Sequence, residues 1–381
     1  MDGHDLLTAL HGTAEFETVG DSPRDELPVR SRGVPPDLSG CITNVTAGSR
    51  KMPVLKAMST TACERDCFYC PFRAGRSSMK RVRFTPDEMA SGFMALHRAG
   101  AVEGLFLSSG VIRGGVTSQD AILDTGAILR QKYGYRGYMH LKLMPGAERD
   151  QVREAMRLAN RVSINLEAPN AHRLERIAPG KRFDQELLTR LRWVDELRQD
   201  PDARLRASST TEMVVGPAGE SDLELLSVTD VLFRQLHLSR VYYSAFRPVV
   251  ETPLAEAPAT DPLRQLRLYQ ASFLLRDYGF ELEELPFVGQ GTLPLSVDPK
   301  RAWADEVLAR HPLELNHATR AELLRVPGIG PLSADRILQA RATGRLRELS
   351  DLRAIGVRGV QRIAPYVLLD GRRPIEQPRL F

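Results

Sequence analysis

At 381 residues, with 42% hydrophobic and 26% charged side chains, the chain is longer than a typical single domain and too apolar to be disordered. Four cysteines are too few to staple a fold of this size, no apolar run is long enough to cross a bilayer, and the first residues lack the basic and apolar regions of a secretory signal. A cytoplasmic protein of more than one module is the expectation. Its net charge of +4 is uneven, because residues 312–381 carry twelve arginines, no lysine and seven acids. An all-arginine excess suits phosphate recognition better than lysine does.

Residues 1–50 read as an N-terminal extension, in which the lone Cys41 fits a small buried apolar residue. From there short β-rich runs alternate with helical stretches. Strands are predicted at 53–60, 104–109, 137–144, 161–167, 210–216 and 240–246. Helices are predicted at 86–99, 117–133, 148–159, 184–199 and 222–238. Thr85-Pro86-Asp87-Glu88 is a capping box with Pro at the first helical position, and Ser221 through Glu224 is a second. Six strands joined by helical crossovers make a parallel α/β architecture, and six rather than eight make an incomplete (β/α) barrel. Tyr138, His140 and Lys142 share one strand face, as do Ser163, Asn165 and Glu167. Parallel strands buried on both sides read as continuous apolar runs, so these polar faces point to a lined cavity.

The loop after the first strand holds Cys63-Glu64-Arg65-Asp66-Cys67-Phe68-Tyr69-Cys70, with spacing C-x3-C-x2-C and an aromatic before the third cysteine. A cubane iron–sulfur cluster has four irons, each held by a protein thiolate in an electron carrier. Three close thiolates therefore leave one iron open to another ligand. Zinc is the competing reading, but a structural zinc site wants four closed ligands, usually as two pairs. No second Cys/His pair follows at such a distance.

Residues 51–290 form the expected barrel module and 291–311 a connector. In 312–381, Thr319-Arg320-Ala321-Glu322 is another capping box. It opens a short helix that ends at Val326-Pro327-Gly328-Ile329-Gly330, and a second helix comes next over about 332–342. Glycines that accept positive φ let backbone N–H groups approach a phosphate beside the positive end of the next helix. The unit repeats with an offset of 28 residues, since Leu324-Arg325-Val326-Pro327-Gly328 aligns with Leu352-Arg353-Ala354-Ile355-Gly356. In the second copy Arg358 stands where the first has Gly330, and Gly359 is next to it.

The cysteine motif resembles the signature of the radical S-adenosylmethionine (radical SAM) superfamily. That resemblance implies a [4Fe–4S] cluster on Cys63, Cys67 and Cys70, with S-adenosylmethionine (SAM) chelated to the open iron and cleaved reductively to a 5′-deoxyadenosyl radical. It also implies a partial (β/α)6 barrel and an electron donor such as flavodoxin or ferredoxin. The cofactor-binding residues would be Tyr69 of the signature, Ser108-Ser109-Gly110 at the SAM amino group, Asn165 and Glu167 at its ribose and carboxylate, and Gly216 and Gly219 near the adenine. Ser108-Ser109-Gly110 departs from the family's Gly-Gly-Glu-like segment by lacking the acid.

The tail resembles the tandem helix–hairpin–helix domains that grip duplex DNA. This implies backbone contacts at Pro327, Gly328, Ile329, Gly330, Gly356, Arg358 and Gly359. Both halves together resemble the family of DNA modification or repair radical SAM proteins, often encoded beside a uracil-DNA-glycosylase-like protein. Phe84-Thr85-Pro86 and Tyr243-Ser244-Ala245-Phe246-Arg247-Pro248 belong to that likeness. The expected function is radical chemistry on DNA, with no catalytic side chain singled out. Open alternatives are RNA modification, a radical enzyme for a metabolite or peptide with a docking tail, and a DNA-binding redox sensor that never turns SAM over. Cys41 as a hydrogen-atom donor to a substrate radical is a further option.

Overall fold

A computed structural model describes residues 1–11, 40–47, 50–79, 81–201 and 204–374; most of the expected extension and the last residues of the tail lie outside them. The chain divides into two compact units, one of residues 1–220 with 231–261 and one of 221–230 with 262–381.

The first unit is built on a seven-stranded sheet whose spatial order is the chain order. Its strands are β1 (Ile42–Ala47), β2 (Arg50–Met58), β3 (Gly104–Ser108), β4 (Tyr138–Lys142), β5 (Arg161–Ser163), β6 (Ser208–Val215) and β7 (Arg240–Ala245). β2 through β7 are parallel, whereas β1 runs antiparallel to β2. This is an α/β half-barrel. Helices α1 (Gly3–Leu10), α2 (Pro86–Arg98), α3 (Gly114–Ala127), α4 (Arg149–Leu158), α5 (Ala171–Glu175) and α6 (Thr189–Gln199) accompany it, and α7 (Asp222–Leu236) is divided between the two units at residue 230.

Leu105, Met139, Leu141 and Val162 are wholly buried on one face of the sheet, with Phe93, Ile122 and Val152 of the helices. The opposite face, the lumen, is closed at the strands' N-terminal end by Val45, Val54 and Phe106, with Met52 and Tyr138 against them. Further along it carries His140, Lys142, Ser163, Thr210, Glu212 and Arg240, all buried, as the polar alternation predicts.

The six expected strands are present, with differences at the margins. Residues 42–47, expected in the extension, form β1, and α1 packs on α2. Gly92 makes room for that packing, since a Cβ there would lie 2.9 Å from the Leu6 side chain. β5 ends at Ser163 rather than at 167. Beyond it the Leu166 N–H donates to the Thr211 hydroxyl at 3.1 Å, and Glu167 turns to φ +65°, a region that side chains rarely occupy. Helix 117–133 is α3 continued by a wider turn over Ile128–Lys132. The Thr85 box is formed, with Glu88 accepting from the Thr85 N–H at 2.8 Å and returning its own N–H to Thr85 Oγ1 at 3.2 Å.

The second unit contains α8 (Pro262–Asp277), α9 (Pro299–Glu306), α10 (Arg320–Arg325), α11 (Pro331–Arg341) and α12 (Leu349–Ala354). A two-strand parallel pair, β8 (Leu313–Glu314) and β9 (Val367–Leu368), ties its ends together. Its main stretch begins at 262, ahead of the expected connector. Arg325 of α10 is one reason. Its guanidinium pairs with Glu284, donates to the Gly279 carbonyl at 2.8 Å and stacks on the Phe280 and Trp303 rings. Among the described residues no helix is long and apolar enough to cross a membrane.

Candidate metal and cofactor site

Cys63, Cys67 and Cys70 lie in the loop that leaves the C-terminal end of β2, the rim at which such barrels gather their sites. Three sets of bonds shape that loop. The Glu64 N–H donates to the Val111 carbonyl at 2.7 Å and the Phe68 N–H to that of Ile177 at 2.7 Å, which fixes it to the segments after β3 and α5. Arg65 forms a half-buried ion pair with Glu186 at 2.6 Å and also donates to the Gly180 carbonyl. Arg81 closes the loop from behind, donating to the carbonyls of Thr61, Phe72, Arg73 and Arg76 at 2.7, 2.8, 2.9 and 3.2 Å.

Backbone N–H groups also point at sulfur. Cys63 Sγ accepts from Arg65 and Val111, and Cys70 Sγ from Phe72, each at 3.4 Å. Such donors stabilise a thiolate, the form that binds metal. Without metal the Cys67 and Cys70 thiols keep their protons, because burial raises the pKa of Cys67 and, with the neighbouring Cys67, that of Cys70. Metal binding at such thiols releases protons. Among the described residues no three His, Cys, Asp or Glu side chains are arranged around one ion. A cubane does not require that, since each of its thiolates holds a different iron.

The predicted SAM residues fall along the same rim. Gly110 abuts the cysteine loop so closely that a Cβ would sit 2.1 Å from the Ala62 carbonyl oxygen and 3.2 Å from Cys63 Cβ. Its N–H donates to the Thr60 carbonyl at 2.7 Å, and Ser108 and Ser109 beside it are buried. Asn165 donates to Glu212 at 3.2 Å. Glu167 is buried and ion-paired with Lys181 at 2.7 Å. Burial opposes the Lys181 charge, yet Cys67 in its thiolate form and Glu167 together outweigh it and hold the ammonium above its usual range. Tyr69 is half-buried, and burial followed by the Glu167 charge keeps its hydroxyl protonated. Cys67, Cys70, Tyr69, Glu167 and Lys181 thus act on one another. Lys181 and Arg81 went unseen in the sequence, where nothing distinguishes them from other turn cations.

Gly216 and Gly219 form the turn after β6, both at positive φ. Arg173 and Arg176 brace it by donating to the Ala218 carbonyl at 3.1 and 3.0 Å. Its other bonds stay local, such as the Gly219 N–H donating to the Gly216 carbonyl at 3.1 Å. Cys41 is buried just before β1.

In the second unit, Val326–Gly330 links α10 to α11, with Gly328 at φ +90° and Ile329 buried. Gly330 has φ −108° and caps α11 without a side-chain bond, so only Gly328 of this turn uses the conformation expected of both. Gly356 and Gly359 mark the second turn, at φ +81° and +65°, with Arg358 exposed between them. Where the first turn leads into α11, this one leads into two 3-10 turns, Val360–Arg362 and Ala364–Tyr366. The two glycine turns pack reciprocally. Gly328 faces Ile363, and the Arg336 guanidinium of α11 donates to the Gly356 carbonyl at 2.7 Å.

Residues 58–228 match the family model of the Radical SAM superfamily, a span that takes in the cysteine loop and β3 through β6. Over that span the chain is similar to a radical SAM domain. The cofactors of that superfamily are a [4Fe–4S] cluster and SAM. No curated protein sequence matches. Among solved structures, HydG, a maturase of the FeFe-hydrogenase, is similar at 14% identity and TM-score 0.47 over 58% of this chain and 49% of that one. Methylornithine synthase (PylB) is similar at 16% and 0.46, over 58% and 61%. Coproporphyrinogen III oxidase (HemN) from Escherichia coli is similar at 13% and 0.39, over 68% and 59%. The chain spans about half the length of the first of these structures.

Proposed function

We propose that the chain is a radical SAM enzyme acting on DNA, in base modification or repair, with the second unit as its duplex grip. Cys63, Cys67 and Cys70 are the cluster ligands in this reading. A bound cluster and SAM would supply a 5′-deoxyadenosyl radical that abstracts hydrogen. The protein's own part is positional. Arg81 and Gly110 hold the cysteine loop against β3, and the Glu167–Lys181 pair offers an acceptor and a donor next to Cys67. An external one-electron donor completes the chemistry.

The observation that carries the DNA reading is the reciprocal pair of glycine turns. Backbone N–H groups at Gly328, Gly330 and Gly359 can approach phosphate closely, whereas that of Gly356 is held by the Arg353 carbonyl at 2.9 Å, and Arg353, Arg358 and Arg362 around the second turn are exposed. Arg320, Arg325, Arg341 and Arg345, by contrast, are already bonded to acids or carbonyls. Contacts of this kind ignore base identity and weaken with salt. A base that reaches the barrel interior must leave the stack, which is easiest where it is damaged or mispaired.

The test is an anaerobic incubation of reconstituted protein with SAM, reductant and lesion-bearing duplex. Release of 5′-deoxyadenosine and a modified nucleoside is expected, with iron lost in Cys63→Ala, Cys67→Ala or Cys70→Ala but kept in Cys41→Ala. Joint Arg353→Glu, Arg358→Glu and Arg362→Glu replacement should weaken duplex binding while sparing SAM cleavage. Duplex affinity unchanged by that replacement across a salt series would end the DNA reading. A cluster whose electron paramagnetic resonance spectrum ignores SAM would end the enzyme reading.

A further inference from the structure

The loop that leaves β7 has a form of its own. Residues 246–261 hold neither helix nor strand, a length at which irregular loops are uncommon and tend to be functional. Its two feet are pinned together. The Thr260 N–H donates to the Phe246 carbonyl at 2.9 Å, and the Thr260 hydroxyl to that of Val215 at 2.7 Å. Gly216 leaves the room for this, since a Cβ there would lie 2.0 Å from Thr260 Oγ1. Inside the loop the Thr252 hydroxyl donates to the Val249 carbonyl at 2.7 Å. Joined feet and internal bonds make residues 246–260 an Ω-loop.

Its tip reaches across the half-barrel. β2 and β7 are the first and last of the parallel strands, with β3 to β6 between them, so the open side of the barrel lies between the loops that leave these two strands. There Glu251 Oε2 accepts from the backbone N–H groups of Ser77 and Ser78 at 3.0 and 3.1 Å and from the Ser77 hydroxyl at 3.3 Å. Arg76 Nε donates to the Val250 carbonyl at 2.9 Å, and the same guanidinium donates to the carbonyl of Pro71, next to Cys70, at 2.8 Å. One carboxylate and one guanidinium thus tie the segment after the cysteines to the loop after β7, all within the first unit. The feet are packed and the tip is not, with Phe246 3% exposed and Val250 67%. Arg247, Pro248, Glu251, Ser77 and Ser78 are exposed as well. Glu251 also holds φ +58°, a conformation that costs a side chain energy. Exposed hydrogen bonds of this kind open locally at a fraction of the free energy of global unfolding.

We infer that residues 246–260 are a lid on the cysteine rim, hinged at Phe246 and Thr260, and that Glu251 is the positioning residue that latches it shut. Closed, the lid screens the cysteine loop from the open side of the half-barrel. Open, it admits substrate and solvent to that rim. The lid stands apart from the DNA reading, and only its screening of a loaded site rests on the cluster reading.

The experiment is native-state amide exchange on the full chain over a series of low urea concentrations. Ser77 and Ser78, whose amides Glu251 holds, should exchange at a rate indifferent to urea and be protected about a hundredfold less than Leu105 and Leu107 of β3, whose exchange should accelerate with urea as global unfolding does. Glu251→Gly keeps the backbone conformation and removes the carboxylate. It should speed exchange at Ser77 and Ser78 by about tenfold, the loss of charge-assisted bonds, and leave Leu105 and Leu107 unchanged. Glu251→Gln, whose amide oxygen still accepts, should fall between, and Arg76→Met is the second latch variant. On anaerobically reconstituted protein, Glu251→Gly should release iron to bathophenanthroline disulfonate several-fold faster than the parent from equal starting iron. Exchange at Ser77 and Ser78 that rises with urea alongside β3 would make the contact a fixed staple and overturn the lid. So would rates unaltered in both Glu251→Gly and Arg76→Met, or faster exchange with iron release unchanged. Protein that takes up no iron in any variant sinks the cluster reading, and the exchange data then decide the lid alone.

Discussion

Replacing Gly110 with alanine should disable the cysteine site while leaving the half-barrel folded. The added methyl would stand 2.1 Å from the Ala62 carbonyl oxygen and 2.9 Å from its carbon, so one of the two backbones must move by about 1 Å to reach normal contact. β3 is the stiffer partner, because it pairs on both sides within the sheet. The movement therefore falls on Ala62 and on Cys63 after it. Overpacking of this kind costs about 1–3 kcal/mol, a fraction of the roughly 5–15 kcal/mol that holds a domain together, and lowers Tm by about 2–4 °C per kcal/mol in a unit this large. The site is less tolerant, since Cys63 would shift relative to Cys67 and Cys70 and lose the 3.4 Å approach of the Val111 N–H. Iron and sulfide per chain after anaerobic reconstitution, with amide exchange over residues 60–74, provides the assay. Gly40→Ala is the control, because its Cβ meets nothing within 4 Å. A Gly110→Ala protein with parental iron content, spectrum and Tm would refute the claim that close packing at Gly110 places the ligands.

Other expectations rest on the same kinds of contact. Arg81→Met removes four donated bonds and should raise the free energy of the closed loop by about 2–4 kcal/mol, allowing about 1 kcal/mol or less for each bond at a partly solvated site; faster amide exchange at residues 61–76 and reduced iron loading would register it. Burial pulls the Lys300 pKa down from 10.5 to about 8, so between those values the unfolded chain binds the proton that the folded one has released. Stability of the second unit should rise through that window and be flat below it as far as Lys300 is concerned. Lys300→Met should abolish the rise, as urea unfolding followed at Trp303 in a Trp193→Phe background can show. Gly328→Ala forces a side chain to φ +90° with Ile363 at 3.1 Å and should cost about 1–2 kcal/mol. Gly330→Ala, at negative φ with its nearest neighbour 3.9 Å away, should leave Tm unchanged yet weaken duplex binding in fluorescence anisotropy, which isolates phosphate approach from folding.

The features legible in the sequence were local or periodic. The six parallel strands can be read because their outer faces are apolar, and the cysteine loop because its spacing lies within eight residues. The boxes at Thr85 and Thr319 need only four residues each, and both are formed. The features that escaped depend on distant partners. β1, Ile-Thr-Asn-Val-Thr-Ala, has too little apolar alternation to declare itself and is defined by its pairing with β2. The Glu167–Lys181 pair needs a left-handed turn at Glu167, and the Arg81 clamp needs the loop already folded. The start of the second unit at 262 reflects side chains such as Arg325, which reaches back from α10 to Gly279 and Glu284. The second glycine turn repeats the first in sequence but leads into a different structure, because Pro365 cannot donate within a helix and the chain settles into 3-10 turns.

A half-barrel, unlike a closed one, has margins. β1 occupies one of them, and its register runs from Ile42 opposite Leu55 to Ala47 opposite Arg50. A chain begun at residue 50 would keep every cysteine of the loop yet strip this cover from β2. At Val54 and Leu55, both fully buried in the intact protein, the edge would then combine unpaired backbone N–H and carbonyl groups with uncovered apolar side chains, the kind of border that recruits strands from other molecules. The short strand before the cysteines thus serves as a guard on solubility, and trimming to the apparent catalytic core should yield aggregates.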